Sequence, residues 1–202
     1  MSSTEQEDKI LQAGIEELME SDVSKFTVDS FSKAIRMSKK TIYKFFPTKE
    51  DLIRKIVEFA MKQVFKSYEK IVVSDLHPIE KFWKMIHAIY SHIKANPEKI
   101  SFIKNQYPQI WKIVEAYRMK NLAMYESVFN EADEMGLIKT GNNTKDISIL
   151  FMNIIHRTFQ PEFFVEYNIE PRDAILNFAE IYSRGVFGEI TMEYKEKVFK
   201  EN

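Results

Sequence analysis

Apolar residues recur at helical spacing along nearly the whole chain. Ile10, Leu11, Gly14, Ile15, Leu18 and Met19 outline a first amphipathic helix over about residues 6–20. Ser21-Asp22-Val23-Ser24-Lys25 reads as a loop. Thr27 is placed to cap a short helix that turns Val28, Phe31, Ala34 and Ile35 inward. Arg36-Met37 then makes a tight turn, and Ser38 caps a second short helix that runs to Phe46 and is ended by Pro47. Thr48-Lys49-Glu50-Asp51 is a capping-box-like start to a longer helix, residues 48–70, whose buried stripe is Leu52, Ile53, Ile56, Val57, Ala60, Val64 and Phe65.

Past about residue 70 the helices lengthen. His77-Pro78 opens one through about Asn96, Pro97 another through about Gln106, and Pro108 a long one ending near Met135-Gly136. Gly141-Asn142-Asn143-Thr144 is a loop and cap before a helix at about 145–159. Gln160-Pro161 breaks it, and Pro171 starts the last main helix, to about Gly188. The charged tail 190–202 reads as helical at first and then frayed. Gly and Pro are sparse, 5 and 6 respectively, and the hairpin dipeptides Asn-Gly, Asp-Gly and Gly-Gly are missing. The expectation is an all-α fold of about nine helices.

Composition narrows the chemistry. With 202 residues, 45% of them hydrophobic, the chain can bury a real core. Cysteine is absent, which excludes a disulfide framework, a thiolate nucleophile and a cysteine-ligated metal. The start is polar and acidic, unlike a secretory signal, and no apolar run nears the roughly 18 residues of a membrane-spanning helix. A cytoplasmic protein is expected.

Net charge is only −1, but it is unevenly spread. Residues 28–49 hold Lys33, Arg36, Lys39, Lys40, Lys44 and Lys49 against Asp29 alone, so this stretch carries +5 and the remainder −6. A basic patch on an acidic molecule is either the footprint of a nucleic-acid contact or a solvated lysine-rich face.

Two short helices joined by a tight turn, the second one basic, are the ingredients of a helix-turn-helix. Val28, Phe31, Ile35, Met37, Ile42 and Phe46 would close a small core with Ile15, Leu18 and Leu52. Ile42 and Phe46 share one face of the second helix, and Lys40 and Lys44 another, with Lys39, Thr41 and Tyr43 beside them. Such a cationic, hydrogen-bonding face suits the major groove. The stretch from Thr27 to Leu52 resembles the N-terminal domain of the tetracycline-repressor (TetR) family, with Ser38, Thr41, Tyr43, Phe46, Lys49 and Leu52 at its most characteristic positions. Including the first helix, the resemblance covers about 60 residues.

There are two departures. Arg36 stands at the turn position where the family usually has Gly, and Lys40 at another frequently Gly position. Either Arg36 takes a positive φ at around 1 kcal/mol of strain, or the turn is reshaped and Arg36 reaches a phosphate. The resemblance implies that Lys39, Lys40 and Thr41 meet base edges, with Thr27, Ser38, Tyr43, Lys44 and Lys49 on phosphates. Thr27, Ser38 and Thr48 are caps first, Tyr43 has partial burial in the core as its lesser alternative, and Lys33 reads as solvated.

The resemblance also divides the chain into a helix-turn-helix domain at residues 1–50 and a helical effector-binding and dimerisation domain at 51–202, with helix 48–70 connecting them as a lever. Its members usually bind a small effector among the central helices. Aromatic and methionine side chains crowd residues 75–188, which makes either a bulky core or an adaptable apolar cavity. Candidate lining residues are Trp83, Ile86, Tyr90, Phe102, Tyr107, Trp111, Tyr125, Phe151, Ile155 and Phe159, with His87 and His156 either polar contacts or ordinary core histidines. The helix at 145–159 is too apolar for one core, and Ile175, Phe178, Ala179, Tyr182 and Val186 form a stripe on the last main helix. Paired across a two-fold axis, Ile147, Leu150, Ile154, Ile175, Phe178, Tyr182 and Val186 would make a four-helix homodimer interface. Two recognition helices then call for a near-palindromic site on double-stranded DNA.

An enzyme is disfavoured, because no Gly-x-Ser-x-Gly, phosphate-binding glycine loop or His-Glu-x-x-His occurs, and no cofactor is implied. The four histidines, His77, His87, His92 and His156, lack metal-ligand spacing. The alternative to a ligand-responsive repressor is a helical interaction protein that no longer reads DNA, which the intact Lys39, Lys40, Lys44 and Lys49 set argues against.

Overall fold

The computed structural model describes residues 3–20, 25–92, 97–139, 143–158 and 160–200. Among the described residues there are eleven α-helices, one π-helical turn and no strand. The first helix, α1, spans Ser3–Glu20. Caps set the next starts. Thr27, extended, accepts from the Ser30 amide at the head of α2 (Val28–Ala34), and the Ser30 hydroxyl reciprocates to the Thr27 amide. Ser38 accepts from the Thr41 amide at the head of α3 (Lys39–Phe45), and Thr48 from the Asp51 amide at the head of α4 (Lys49–Val72). Each cap satisfies an amide that a helix start leaves bare, worth about 1 kcal/mol.

The remaining helices are α5 (Pro78–His92), α6 (Pro97–Gln106), α7 (Pro108–Glu134), α8 (Thr144–Asn153) with the π-helical turn Ile154–Thr158, α9 (Pro161–Tyr167), α10 (Pro171–Phe187) and α11 (Ile190–Lys200). The expected break at Gln160-Pro161 thus also starts a helix. Pro161 and Pro171 both sit in the first turn of a helix, where a missing amide costs nothing. The tail holds its helix to Lys200 because Thr191 and Val198 are buried. No described helix is long and apolar enough to cross a membrane.

The chain forms two compact units, one of Met1–Gln63 with Lys94–Ala116, the other of Val64–Ile93 with Tyr117–Asn202. This differs from the boundary expected after residue 50. Phe102, Ile103, Tyr107 and the buried Ile110 pack on the first unit's core, which draws α6 and the start of α7 into it. That core is made of Ile10, Phe26, Phe31, Ile42, Phe46, Leu52, Ile53 and Ile56, and Gly14 lets α1 lie close against Ile56 of α4.

The second unit is organised around Phe82 of α5. The rings of Trp83, Tyr125, Phe129, Phe151 and Phe187 lie 5.4 to 5.9 Å from it. Helix α11 is bound to α5 by a hydrogen bond from Trp83 Nε1 to Thr191 Oγ1 at 2.8 Å and by the Lys197–Glu80 ion pair at 2.7 Å. The buried Lys81 pairs with Glu131 of α7 at 2.8 Å.

Candidate nucleic-acid interface

Helix α3 is two-faced, as its spacing requires. Ile42 is fully buried and Phe46 nearly so, both in the first unit's core. Lys39, Lys40 and Lys44 are exposed, Thr41 is half-buried and Tyr43 is 45% exposed, so the Tyr43 ring stands outside the core. The Thr41 hydroxyl lies 2.8 Å from Ser38 Oγ, which ties both to the cap. Lys49 is half-buried, with its ammonium 5.8 Å above the Phe26 ring. Thr27 is exposed at the head of α2.

The turn between α2 and α3 resolves the alternative at Arg36. Its φ is +53°, its amide donates to the Lys33 carbonyl, and the Met37 amide donates to Ser32. This is the left-handed helix ending that glycine normally supplies. The turn keeps that geometry and the Arg36 side chain faces solvent.

Asp29 was not expected to take part. Its carboxylate receives Lys33 Nζ at 2.8 Å along α2 and Lys39 Nζ at 2.5 Å across to α3. The two ammonium groups, Lys33 first and then Lys39, hold the Asp29 carboxyl down to about 2, and Asp29 raises the Lys33 ammonium in turn. The spacing of Asp29 to Lys33 (four residues on one helix) was a readable signal; the reach to Lys39 was not.

Residues 10–56 match the family model described as bacterial regulatory proteins, tetR family. This stretch carries the tetR-family likeness. An uncharacterized HTH-type transcriptional regulator of Bacillus subtilis, YvaF, is 20% identical over 167 residues, 80% of this chain and 85% of that one. The fold of the whole chain is similar to a TetR transcription regulator from Haloarcula marismortui, with TM-score 0.68, 16% identity, and coverage of 91% of this chain and 98% of that one. It is also similar to Bacillus subtilis FadR, solved in complex with stearoyl-CoA, with TM-score 0.59, 18% identity, and coverage of 87% and 97%. At such identities these two likenesses speak for the fold.

Outside the stretch with the tetR-family likeness, the expected effector-lining residues fall into separate environments. Trp83, Ile86, Tyr125, Phe151 and Ile155 are buried in the second unit's core, whereas Phe102 and Tyr107 pack on the first unit's core. Trp111 also belongs to the first unit, under the Lys104 ammonium at 5.6 Å. The His87 ring stands edge-on to Phe199 at 4.9 Å. The His156 carbonyl accepts from Gln160 and, with that of Ile155, from Arg118. The Tyr90 side chain and Phe159 lie outside the described residues.

The residues of the expected dimer stripe differ in burial. Ile147, Ile175 and Val186 are buried in the second unit itself, Tyr182 donates its hydroxyl to the Ile147 carbonyl, and Phe178 stacks on Phe151 at 5.6 Å. Ile154 is half-buried. The buried Ile147, Ile175 and Val186 offer little surface, which leaves the exposed Leu150 and the half-buried Ile154, Phe178 and Tyr182. The apolar side chains that α8 and α10 do expose are Ile149, Leu150 and Ile181.

Proposed function

We propose that this protein is a ligand-responsive transcriptional regulator that binds a near-palindromic operator as a homodimer in the cytoplasm. The single observation that carries the reading is α3, which buries Ile42 and Phe46 and presents Lys40, Thr41, Tyr43 and Lys44 outward. In the major groove Lys40 and Thr41, near the start of α3, meet base edges, while Lys44 and Tyr43 meet phosphates. Arg36, Ser38, Thr27 and Lys49 flank them as phosphate contacts, while Lys39 is engaged by Asp29.

Repression released by a small apolar or aromatic effector is the form of regulation we favour. A regulator of similar fold holds stearoyl-CoA, and the aromatic interior of the second unit suits an apolar guest. Coupling of 1–3 kcal/mol between effector and DNA is typical of such two-site proteins. Helix α4, which contributes to both units, is the element through which it would pass. Catalysis plays no part in this reading.

The test is binding to a duplex selected from a randomised pool. Wild-type affinity should fall steeply with added salt. Lys40→Ala with Lys44→Ala should abolish binding while leaving the helical signal and melting intact. Unchanged binding would remove α3 from the interface.

A further inference from the structure

The DNA-facing surface carries one charge that opposes its use. Asp29 is the only acidic residue between Val28 and Lys49. Its two carboxylate oxygens are divided: Oδ2 takes Lys33 from the same helix, and Oδ1 takes Lys39, the first residue of α3. Lys40 and Lys44 make no ion pair with any described residue. The cations of α3 are therefore of two kinds, one engaged within the domain and two turned to solvent.

We infer that Asp29 is a specificity-setting residue: it holds Lys39 off the phosphates, so that α3 reads duplex through Lys40, Thr41, Tyr43 and Lys44 and grips arbitrary sequence less tightly than its lysines imply. The inference rests on the DNA-binding reading above. Sequence-independent affinity comes from ammonium groups that displace counterions at phosphates. A lysine already neutralised by a carboxylate adds little to that term, and the carboxylate itself repels the backbone. Base-edge contacts are untouched, so the ratio of operator to random binding rises as the random term falls.

The experiment measures affinity of the full chain for a random-sequence duplex across a potassium chloride series. Four proteins are compared: wild type, Asp29→Asn, Lys39→Ala, and the two changes together. Asp29→Asn should tighten binding several-fold at low salt and steepen the log–log salt slope by about 0.9, the value of one added phosphate contact. Adding Lys39→Ala should remove that steepening, and Lys39→Ala alone should leave the wild-type slope in place.

An unchanged slope in Asp29→Asn overturns the inference. So does steepening that survives loss of Lys39, or a slope flattened by Lys39→Ala alone, since Lys39 would then already sit on a phosphate. A wild-type protein with no salt-dependent affinity for any duplex is a different result. That result sinks the DNA-binding reading, and the inference goes with it.

Discussion

Arg36 and Gly136 close α2 and α7 with the same backbone geometry, at φ +53° and +67°. In each case the residue's amide donates three residues back, to Lys33 or Asp133, and the following amide five back, to Ser32 or Ala132. Only one of the two is glycine. An L side chain in this conformation costs roughly 1–2 kcal/mol. Arg36→Gly should therefore stabilise the protein by about 1 kcal/mol in urea unfolding, partly offset by the freer unfolded chain. Duplex affinity should fall in the same variant if the guanidinium meets a phosphate, so the two readouts move oppositely. Gly136→Ala should lose about 1 kcal/mol from the backbone alone, because an added Cβ meets no atom within 4 Å.

Helix α11 is held by polar as well as apolar contacts. The indole N–H of the fully buried Trp83 donates to Thr191, itself fully buried. Thr191→Val keeps the shape and strands the donor, which should cost about 1–3 kcal/mol. Calorimetry checks this. A change within experimental error would mean that water or another acceptor takes over.

Much of this architecture was readable, and the parts that were not share a cause. Thr27, Ser38 and Thr48 announced their helices because a cap is a local device that acts on amides two or three residues away. Ile42 and Phe46 showed their inward face because Lys40 and Lys44 mark the opposite side of α3. Helix α8 gave no such contrast. It is apolar on several sides, so spacing alone could not tell the buried Ile147 from the exposed Leu150. The Asp29–Lys39 pair crosses from one helix to the next, where periodicity carries no information about side-chain direction. Phe102 and Tyr107 stood out as aromatic, but an aromatic side chain does not name the core that receives it.

Tyr68, Tyr125 and Tyr182 should resist ionisation. Tyr68 donates its hydroxyl to the Met85 carbonyl at 3.0 Å and lies 3.4 Å from the Tyr125 hydroxyl, with both rings fully buried. Burial pushes both phenols well above their ordinary range, and pushes Tyr182 up to about 12. The folded state therefore keeps protons that the unfolded chain releases near pH 10. Stability contributed by these groups is full below that value and is lost as pH rises toward the folded values. In an alkaline titration, part of the phenolate absorbance should appear only together with loss of the helical signal. Complete ionisation near pH 10 with helices intact would contradict the burial.

The proposed homodimer can be tested at the apolar side chains that α8 and α10 expose. Ile181 is 74% exposed and Leu150 58%, on α10 and α8, while Ile147 on α8 is buried. A carboxylate at an exposed position meets water in the monomer, so Ile181→Glu with Leu150→Glu should leave monomer stability within about 0.5 kcal/mol per site. Across a two-fold interface the same groups would be desolvated beside their own copies, which opposes association. Sedimentation should then report a folded monomer, with operator affinity reduced because each complex offers a single recognition helix. Ile147→Glu should instead unfold the second unit, since it places a charge among Phe129, Phe151 and their neighbours. A dimer that survives the double exposed change would put the interface on other helices and leave Ile149, Leu150 and Ile181 as solvated residues.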